Sequence, residues 1–146
     1  LRMPRHEELL REIVSTQYFA VLNTIGQGLP HSNLVSFAAT EDLKSLVFVT
    51  GRNTRKYRNV QDNHNVSLLI DNRTNRPSDT SQATAIAAIG IAREEIDNRS
   101  LLLDIFLARH PHLRHFAEDP DSAIMLVTIR KYIVAAFDKT QTVPIS

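Results

Sequence analysis

The residues best suited to chemistry are the basic and hydroxyl side chains of the segment 50–56, Thr-Gly-Arg-Asn-Thr-Arg-Lys. A short helix is predicted over 54–63, so Arg52, Arg55 and Lys56 flank a helix N-terminus. The helix dipole already presents about half a positive charge there. Cations at that position cost a few tenths of a kcal/mol each, up to about 1 kcal/mol, instead of stabilising the helix.

A bound anion would reverse the sign of that cost. Free backbone N–H groups, the helix dipole, the cations and the hydroxyls of Thr50 and Thr54 would all act on the same ligand. The segment 50–56 is therefore interpreted as a phosphate-binding turn. A solvated basic turn with no ligand explains the same spacing equally well.

The distribution of charge sets this segment apart from the rest of the chain. The net charge is +1, but residues 43–61 contain five basic residues and no acidic one, whereas the remainder carries twelve basic and sixteen acidic residues. The basic residues occupy one short stretch without a recognition helix or an aromatic stacking motif, which argues against nucleic acid as a partner.

The composition excludes several classes of function. The 146 residues contain no cysteine, which removes disulfide scaffolds, Cys-ligated zinc and thiol nucleophiles, and which fits a cytoplasmic location. The four glycines complete neither a dinucleotide-binding fingerprint nor a P-loop. The uncharged stretch 13–40 carries polar residues at its centre, so no membrane association is expected.

Other clusters of polar residues favour structural roles. His110, His112 and His115 invite a metal site, but Pro111 interrupts their helix, so a solvent-facing helix end is the better interpretation and no metal is expected. Glu94 and Glu95 are adjacent in the chain and point to opposite faces of a strand, so they are assigned to a solvated strand end.

Hydrophobic periodicity and turn residues predict one domain over 1–146, a barrel or sandwich of about six mostly consecutive strands with three helices. The segment 1–15 is assigned to an N-terminal helix and 138–146 to a tail. Residues 83–92 are compatible with a helix or with a bulged strand at Gly90. Three helices are expected: 5–15, 54–63 with Asn53 or Thr54 as its cap, and a third that runs from a Ser100 cap to Pro111. The strands are expected over 19–25, 33–39, 46–50, 66–70 and 123–137. Residues 71–82 are expected to form a loop.

Three passages, in order, carry a resemblance to a known family. Residues 48–50 (Phe-Val-Thr), followed after three residues by 54–56 (Thr-Arg-Lys), resemble the signature of the pyridoxamine 5′-phosphate oxidase-like, FMN-binding split-barrel family. The first hairpin, 19–24 followed by 28–31, and the passage from 57–60 into 65–70 resemble that family's pattern as well. The resemblance extends from about Glu7 to Phe137.

This resemblance implies a mainly β (α+β) fold, a six-stranded antiparallel split β-barrel with flanking short helices. It further implies a homodimer with FMN at the subunit interface, and a flavin-dependent oxidoreductase acting on a small-molecule substrate. It favours a strand for 83–92.

Site residues are carried over by position. Arg55 and Lys56 would hold the FMN phosphate, and the hydroxyls of Thr50 and Thr54 would donate to phosphate or ribityl oxygens. A second group would lie along the isoalloxazine ring: the backbone of Val35, Ser36 and Phe37 at its edge, and Val49 beside Thr50.

The departures from the family pattern weaken the FMN site without removing it, and they argue against the oxidase's own substrate. Asn33 stands where the true oxidase has a phosphate-binding arginine, and Ala85 stands where it has a glutamine. The chain has no tryptophan, and the oxidase's C-terminal substrate motif is missing. A divergent flavoprotein is therefore expected, and not the pyridoxamine phosphate oxidase itself.

Two alternatives remain open at this point. A non-catalytic protein or sensor that binds flavin, haem or another planar anion would need the same basic turn. The deazaflavin F420 is an open alternative to FMN. Nothing in the sequence identifies the electron donor or the acceptor.

Overall fold

A computed structural model describes residues 5–136 and 139–146 of the chain. Its strands form one antiparallel sheet in the order β3-β2-β1-β4-β5-β6-β7, and an additional pairing of β3 with β6 closes the first six strands into a barrel. The strands are β1 Phe19–Gly26, β2 Leu29–Ala39, β3 Ser45–Gly51, β4 Asn65–Asp71, β5 Thr84–Glu94, β6 Ser122–Ala136 and β7 Lys139–Pro144. The helices are α1 Arg5–Thr16, α2 Arg55–Asp62, α3 Asp79–Gln82, α4 Arg99–Arg109 and α5 Arg114–Glu118, with a 3-10 turn over Pro111–Leu113. The predicted six-stranded barrel with short helices is confirmed, with one strand added.

The barrel interior is filled by the inward-facing residues of alternating strands. In β4, for example, Val66, Leu68 and Ile70 are buried whereas their neighbours are half-buried or exposed. α1 packs the apolar stripe of Leu10, Ile13 and Val14 against this core. The period of two in strands such as β4 and β5 therefore reflects one face on the core and one on the surface.

A second hydrophobic cluster covers the outside of β3 and β6. Val47, Val49 and Ile124 pack there against Leu102 and Phe106 of α4. β3 is consequently buried on both faces, which explains why its sequence is a continuous apolar run without alternation.

The segment 83–92 is a strand with a bulge, as the resemblance favoured. The register of β5 against β6 shifts between Ile89 and Gly90, where Ile89 faces Lys131 and Gly90 faces Ile129. A Cβ at Gly90 would collide with the carbonyl oxygen of Thr128. The alanine-rich segment becomes a strand because β4 and β6 both supply backbone partners to it.

Three local predictions need correction. Residues 139–144 of the predicted tail form β7, because β6 runs past the closed barrel and leaves an edge where Val143 becomes buried opposite Tyr132. Helix α4 begins at Arg99 after Asn98, so Ser100 lies inside the helix and does not cap it. The loop 71–82 contains the short helix α3.

Two further predictions fall partly outside the described residues. α1 accounts for the helix predicted over 1–15 from Arg5 onwards, whereas 1–4 are not described. Phe137, the expected end of the last strand, and residue 138 are likewise not described.

The split of the barrel lies between β2 and β3. β2 pairs with β1 along Leu29–Ser36, but it pairs with β3 only through Phe37–Ala39. β3 instead pairs with β6 along its full length. On the N-terminal side of Phe37, β2 therefore separates from β3. α2 lies beside this opening, packed against β1 and β3.

We expect the substitution Gly90→Ala to destabilise the protein by about 1–3 kcal/mol, because the added methyl group meets backbone that belongs to a paired strand. Urea unfolding measures this as a lower midpoint with an unchanged slope. Gly28→Asn is the control, since Gly28 has open space around it and a φ of +77° that asparagine tolerates. Equal stability of the two variants would contradict the prediction.

Candidate functional site

The opening between β2 and β3 brings together the two predicted groups of site residues. Phe37 pairs with Phe48, and continuing this antiparallel register would set Val35 opposite Thr50. The strands diverge at that point, so the start of β2 and the segment 50–56 border the same gap. The site residues predicted on β2 and those predicted around α2 therefore converge.

Thr54 is the N-cap of α2, one of the two predicted caps. Its Oγ1 accepts a hydrogen bond from the N–H of Tyr57 at 3.3 Å and donates to the carbonyl of Gly51 at 2.8 Å. The hydroxyl of Thr50, a residue only 1% exposed, lies 2.9 Å from that of Thr54. Both predicted phosphate-binding hydroxyls are thus engaged in capping the helix and bracing its turn.

Arg52 differs from the other two cations because it is neutralised within the fold. Its Nη2 lies 2.5 Å from Oε2 of Glu94, and its Nη1 donates to the carbonyl of Pro120 at 2.6 Å. The hydroxyl of Tyr57 donates to Oε1 of Glu94 at 2.7 Å. Through these contacts with Arg52 and Tyr57, Glu94 on β5 stabilises both the turn before α2 and the first turn of the helix.

These contacts shift the protonation of the cluster in a consistent direction. The hydrogen bonds from Arg52, and then those from Tyr57, hold the pKa of Glu94 below its ordinary value against the effect of burial. The hydrogen bond to the Glu94 carboxylate raises the pKa of Tyr57. Glu94 was expected at a solvated strand end, which is wrong, because its side chain is only 13% exposed.

Arg55 and Lys56 remain available for a ligand. Arg55 is exposed and Lys56 is half-buried, and neither side chain has a hydrogen bond or ion pair to the part of the chain that the structure describes. The first turn of α2 contains no acidic residue. Arg55 also lines a cleft of about 530 Å³ between α2 and the β1–β2 hairpin.

On β2, the direction of the backbone decides which residues face the gap. The N–H of Phe37 donates to the carbonyl of Tyr18 at 3.2 Å, towards β1. Because backbone groups alternate along a strand, those of Val35 point the same way, whereas those of Ser36 and Leu34 point away from β1. Of the three residues predicted at the ring edge, Ser36 is therefore the one with backbone directed at the gap.

The remaining predicted residues take different positions. Asn33 is exposed on β2 opposite Leu22. Val35 and Phe37 place their side chains in the barrel core, and Val49 packs against α4 in the second cluster. The side chains of these three residues therefore pack behind the two strands that border the gap and do not point into it.

His110 is a buried residue beside this site that the sequence analysis placed in solvent. It is 1% exposed, its Nε2 lies 2.7 Å from the carbonyl oxygen of Phe37, and its ring packs 4.8 Å from that of Phe106. Burial lowers the pKa of His110. Because a carbonyl oxygen only accepts, Nε2 is the nitrogen that donates the hydrogen bond to Phe37. Its spacing of four residues from Phe106 was the available signal, because it sets both rings on one helix face.

Residues 5–136 and 139–146 contain no group of three or more His, Asp or Glu side chains placed to hold a metal ion. None of the described helices has the length and apolar character needed to cross a bilayer.

We expect Glu94→Gln to lower the free energy of unfolding by about 1 kcal/mol at pH 7, a figure reduced for solvent screening at the partly exposed Arg52. A carboxylate with a lowered folded pKa stabilises the fold above its ordinary pKa of 4.5 and loses that contribution as the pH falls below it. The difference between wild type and variant should therefore shrink between pH 6 and pH 3 in urea titrations.

Glu118→Gln provides the control, because Glu118 forms an exposed ion pair with Arg114 within α5. Its effect should stay below about 0.5 kcal/mol. A Glu94→Gln effect that is equally small, or that does not depend on pH, would contradict the stabilising role of Glu94.

Comparison with known proteins agrees with this geometry. The family model described as pyridoxamine 5′-phosphate oxidase matches residues 6–133. No curated protein matches the chain.

Solved structures share the fold at low sequence identity. A haem-binding protein from Mycobacterium smegmatis superposes with a TM-score of 0.87 at 14% identity over 99% of this chain. This chain spans 60% of that protein's length. A putative pyridoxamine 5′-phosphate oxidase from Listeria innocua has a TM-score of 0.69 at 18% identity, covering 90% of this chain and 98% of its own. An FAD-binding protein from Mesorhizobium loti has a TM-score of 0.70 at 14% identity, covering 86% of this chain and 89% of its own.

The family model covers most of the chain, and it includes both the β2–β3 opening and the basic turn before α2. This agrees with the resemblance carried by residues 48–50 and 54–56. The chain belongs to the pyridoxamine 5′-phosphate oxidase family.

Proposed function

We propose that this protein binds FMN in the gap between β2 and the segment 50–56, and that it is a flavin-dependent oxidoreductase of a small-molecule substrate. The observation that carries the proposal is the pair Arg55 and Lys56, two cations without described partners at a helix N-terminus beside an unpaired strand edge. When bound, the flavin ring would supply the electron transfer that no side chain of this protein provides.

The phosphate fits the first turn of α2. Thr54 satisfies the N–H groups of Tyr57 and Arg58, whereas those of Arg55 and Lys56 have no acceptor among the described residues. An anion there would receive two backbone hydrogen bonds, two charged side chains and the favourable end of the helix dipole. Thr50 and Thr54 would act by holding this turn in shape.

The ring would lie against the free edge of β2. Its oxygens and ring N–H need donors and an acceptor in one plane, and the backbone of Ser36 directs both kinds of group towards the gap. Asn33, on the same strand, would add a neutral amide to the phosphate or ribityl chain. Because Asn33 is neutral, only Arg55 and Lys56 among the proposed site residues would neutralise the negative charge of the phosphate.

We propose a homodimer as the functional assembly. The strand register places Leu34, Val21, Leu69, Ala87 and Ile133 in one apolar row across five neighbouring strands of the outer sheet face. Leu34 is 70% exposed. An apolar row of this length on a solvent-facing antiparallel sheet is typical of a contact surface. Members of the family are generally dimeric, and a second copy would cover the row and close the gap.

A non-catalytic binder of haem or another planar anion is the second candidate. It is favoured by the similarity to the M. smegmatis haem-binding protein over 99% of this chain. F420 also remains a candidate, since its phosphate would use the same basic turn. The absorbance spectrum of the purified protein separates these cofactors, and anaerobic reduction by NADH or NADPH separates a flavin enzyme from a carrier.

We expect the double substitution Arg55→Ala with Lys56→Ala to weaken FMN binding at least a hundredfold, because two charge-assisted contacts are lost. The free energy of unfolding of the apo protein should stay equal or rise by a few tenths of a kcal/mol, because two cations leave a helix N-terminus. Flavin fluorescence quenching and urea unfolding measure the two effects.

Arg73→Ala with Arg76→Ala is the matched control, because it removes the same charge from the exposed loop after β4. It should leave FMN affinity within a factor of two. Unchanged FMN affinity in the Arg55 and Lys56 variant would refute the phosphate site.

We expect Leu34→Asp to shift the protein from dimer to monomer at micromolar concentration, because it places a charge in the apolar row. Light scattering after size exclusion measures the mass, and FMN affinity should fall together with dimerisation. Ile96→Asp, at a residue that is 73% exposed beyond the end of β5, should leave both unchanged. A wild-type monomer, or a variant that remains dimeric, would contradict this surface.

A further inference from the structure

The end of the barrel opposite α2 contains a cavity that the proposed function does not use. Its volume is about 620 Å³, which is within the range of small-molecule sites. It is lined by the first turns of α1, by the segment that leads into β5, and by the ends of β6 and β7. β5 runs from Thr84 at this cavity to Glu94 beside the basic turn, a distance of about 33 Å at roughly 3.3 Å per residue. The cavity is therefore separate from the gap between β2 and β3.

The strand register shows how the cavity forms. On β5 and β6, Ile86 pairs with Val134, and both residues are buried. Because inward-facing residues recur at every second position, the next inward-facing pair is Thr84 with Ala136. α1 crosses this end of the barrel, but the apolar stripe that it packs on the core begins at Leu10. The first turn of α1 therefore lies over the cavity instead of filling it.

Thr84 is a buried polar residue in the wall of this cavity. It is only 6% exposed, and its backbone N–H donates to Oδ1 of Asn72 at 2.7 Å. Its hydroxyl, in contrast, makes no hydrogen bond with the described residues. A buried hydroxyl without a partner costs free energy, so its burial is explained if a ligand in the cavity is the partner. Asn72, which also lines the cavity, uses its side-chain oxygen for Thr84 and so has its amide N–H groups left to donate.

The charged side chains in the described lining are all basic. Arg5 and His6 of α1 and Lys139 of β7 line the cavity, and none of the described lining residues is acidic. These three side chains form no ion pair with the part of the chain that the structure describes. Asp79, a carboxylate of the segment before β5, already accepts hydrogen bonds from the N–H groups of residues 74–76. The cavity therefore combines positive charge with hydrogen-bond donors, which suits an anion with several oxygen atoms.

Charge and volume together indicate the class of anion. Arg5 and Lys139 carry two positive charges, which match a phosphate monoester of about −1.5 to −2 at pH 7 better than the single charge of a carboxylate. The volume exceeds that of a phosphate group, and Leu9 and Ala136 provide apolar wall for an attached body. We propose that this cavity binds a small phosphorylated compound with an apolar body. Arg5 and Lys139 balance the charge of its phosphate, and the hydroxyl of Thr84 donates to one of its oxygens.

Phenyl phosphate is the probe that tests this site, because it joins a phosphate monoester to an apolar ring. Calorimetry measures its affinity, and the amide chemical shifts of ¹⁵N-labelled protein locate it. It should bind at least tenfold more tightly than inorganic phosphate, which lacks the ring, and than benzoate, which lacks the second charge. The amide of Thr84 should shift, and those of Tyr57 and Arg58 in α2 should not.

The same titration of the variant with Arg55→Ala and Lys56→Ala separates this site from the proposed flavin site. The affinity of the cavity for phenyl phosphate should agree within a factor of two between this variant and the wild type. Saturation of the wild type with FMN should likewise leave it unchanged, because the two sites lie at opposite ends of the barrel.

Thr84→Val should weaken phenyl phosphate at least fivefold without lowering the thermal midpoint, because it replaces an unpartnered buried hydroxyl with a methyl group of similar volume. Arg5→Gln and Lys139→Gln should each weaken it at least fivefold, because each removes one charge. Arg11→Gln is the matched control, since Arg11 lies on α1 but does not line the cavity. It should change the affinity by less than a factor of two.

Other results overturn the inference. Benzoate that binds as tightly as phenyl phosphate would assign the cavity to carboxylates and reject the phosphate ester. Amide shifts confined to α2, or an affinity that none of the three cavity variants changes, would place the probe elsewhere. If phenyl phosphate does not bind the wild type at millimolar concentration, the cavity is not a site for this class of compound. FMN binding, measured separately, is then unaffected by that failure.

Discussion

The unequal pairing of the two edges of β3 determines where the barrel is closed and where it is open. One edge is paired with β6 from Ser45 to Gly51, while the other meets β2 for only three residues. β2 follows β1 instead, and its backbone beyond Phe37 is left without a partner strand on the β3 side in the described structure. The barrel is thereby closed between β3 and β6 and open between β2 and β3, where the edge of β2 stays unpaired in the described structure.

The seam is kept open by contacts on both sides. Glu94 fastens Arg52 and Tyr57, which fixes the turn before α2, and Thr54 caps the helix itself. On the β2 side, the buried ring of His110 donates a hydrogen bond from Nε2 to the carbonyl oxygen of Phe37. The turn that precedes Arg55 and Lys56 is therefore held in place by these contacts, which would reduce the ordering cost of binding at the proposed phosphate site.

Local sequence predicts those features that depend on neighbours in the chain. The helix over 55–62 and its Thr54 cap follow from spacing and side-chain type, and the strands follow from alternation and turn residues. The family resemblance then supplied the closure of the barrel, which the structure confirms, and the location of the proposed site, which stays a prediction. The structure adds the direction of each backbone group, which separates Ser36 from Val35 and Phe37.

The features missed are long-range. Glu94 meets Arg52 across 42 residues and His110 meets Phe37 across 73, and no local pattern marks either pair. β7 was missed because a polar segment became a strand only through the free edge of β6.

The free edge of β2 has a further consequence for the life of the protein in the cell. Hydrogen-bonding groups without a partner, next to exposed Leu34 and Phe19, are the features by which sheets of separate molecules join end to end into insoluble aggregates. If the proposed cofactor and dimer are correct, newly made chains that lack both would be the most prone to aggregate. Supply of the cofactor would then govern how much of the protein survives as well as how much of it works.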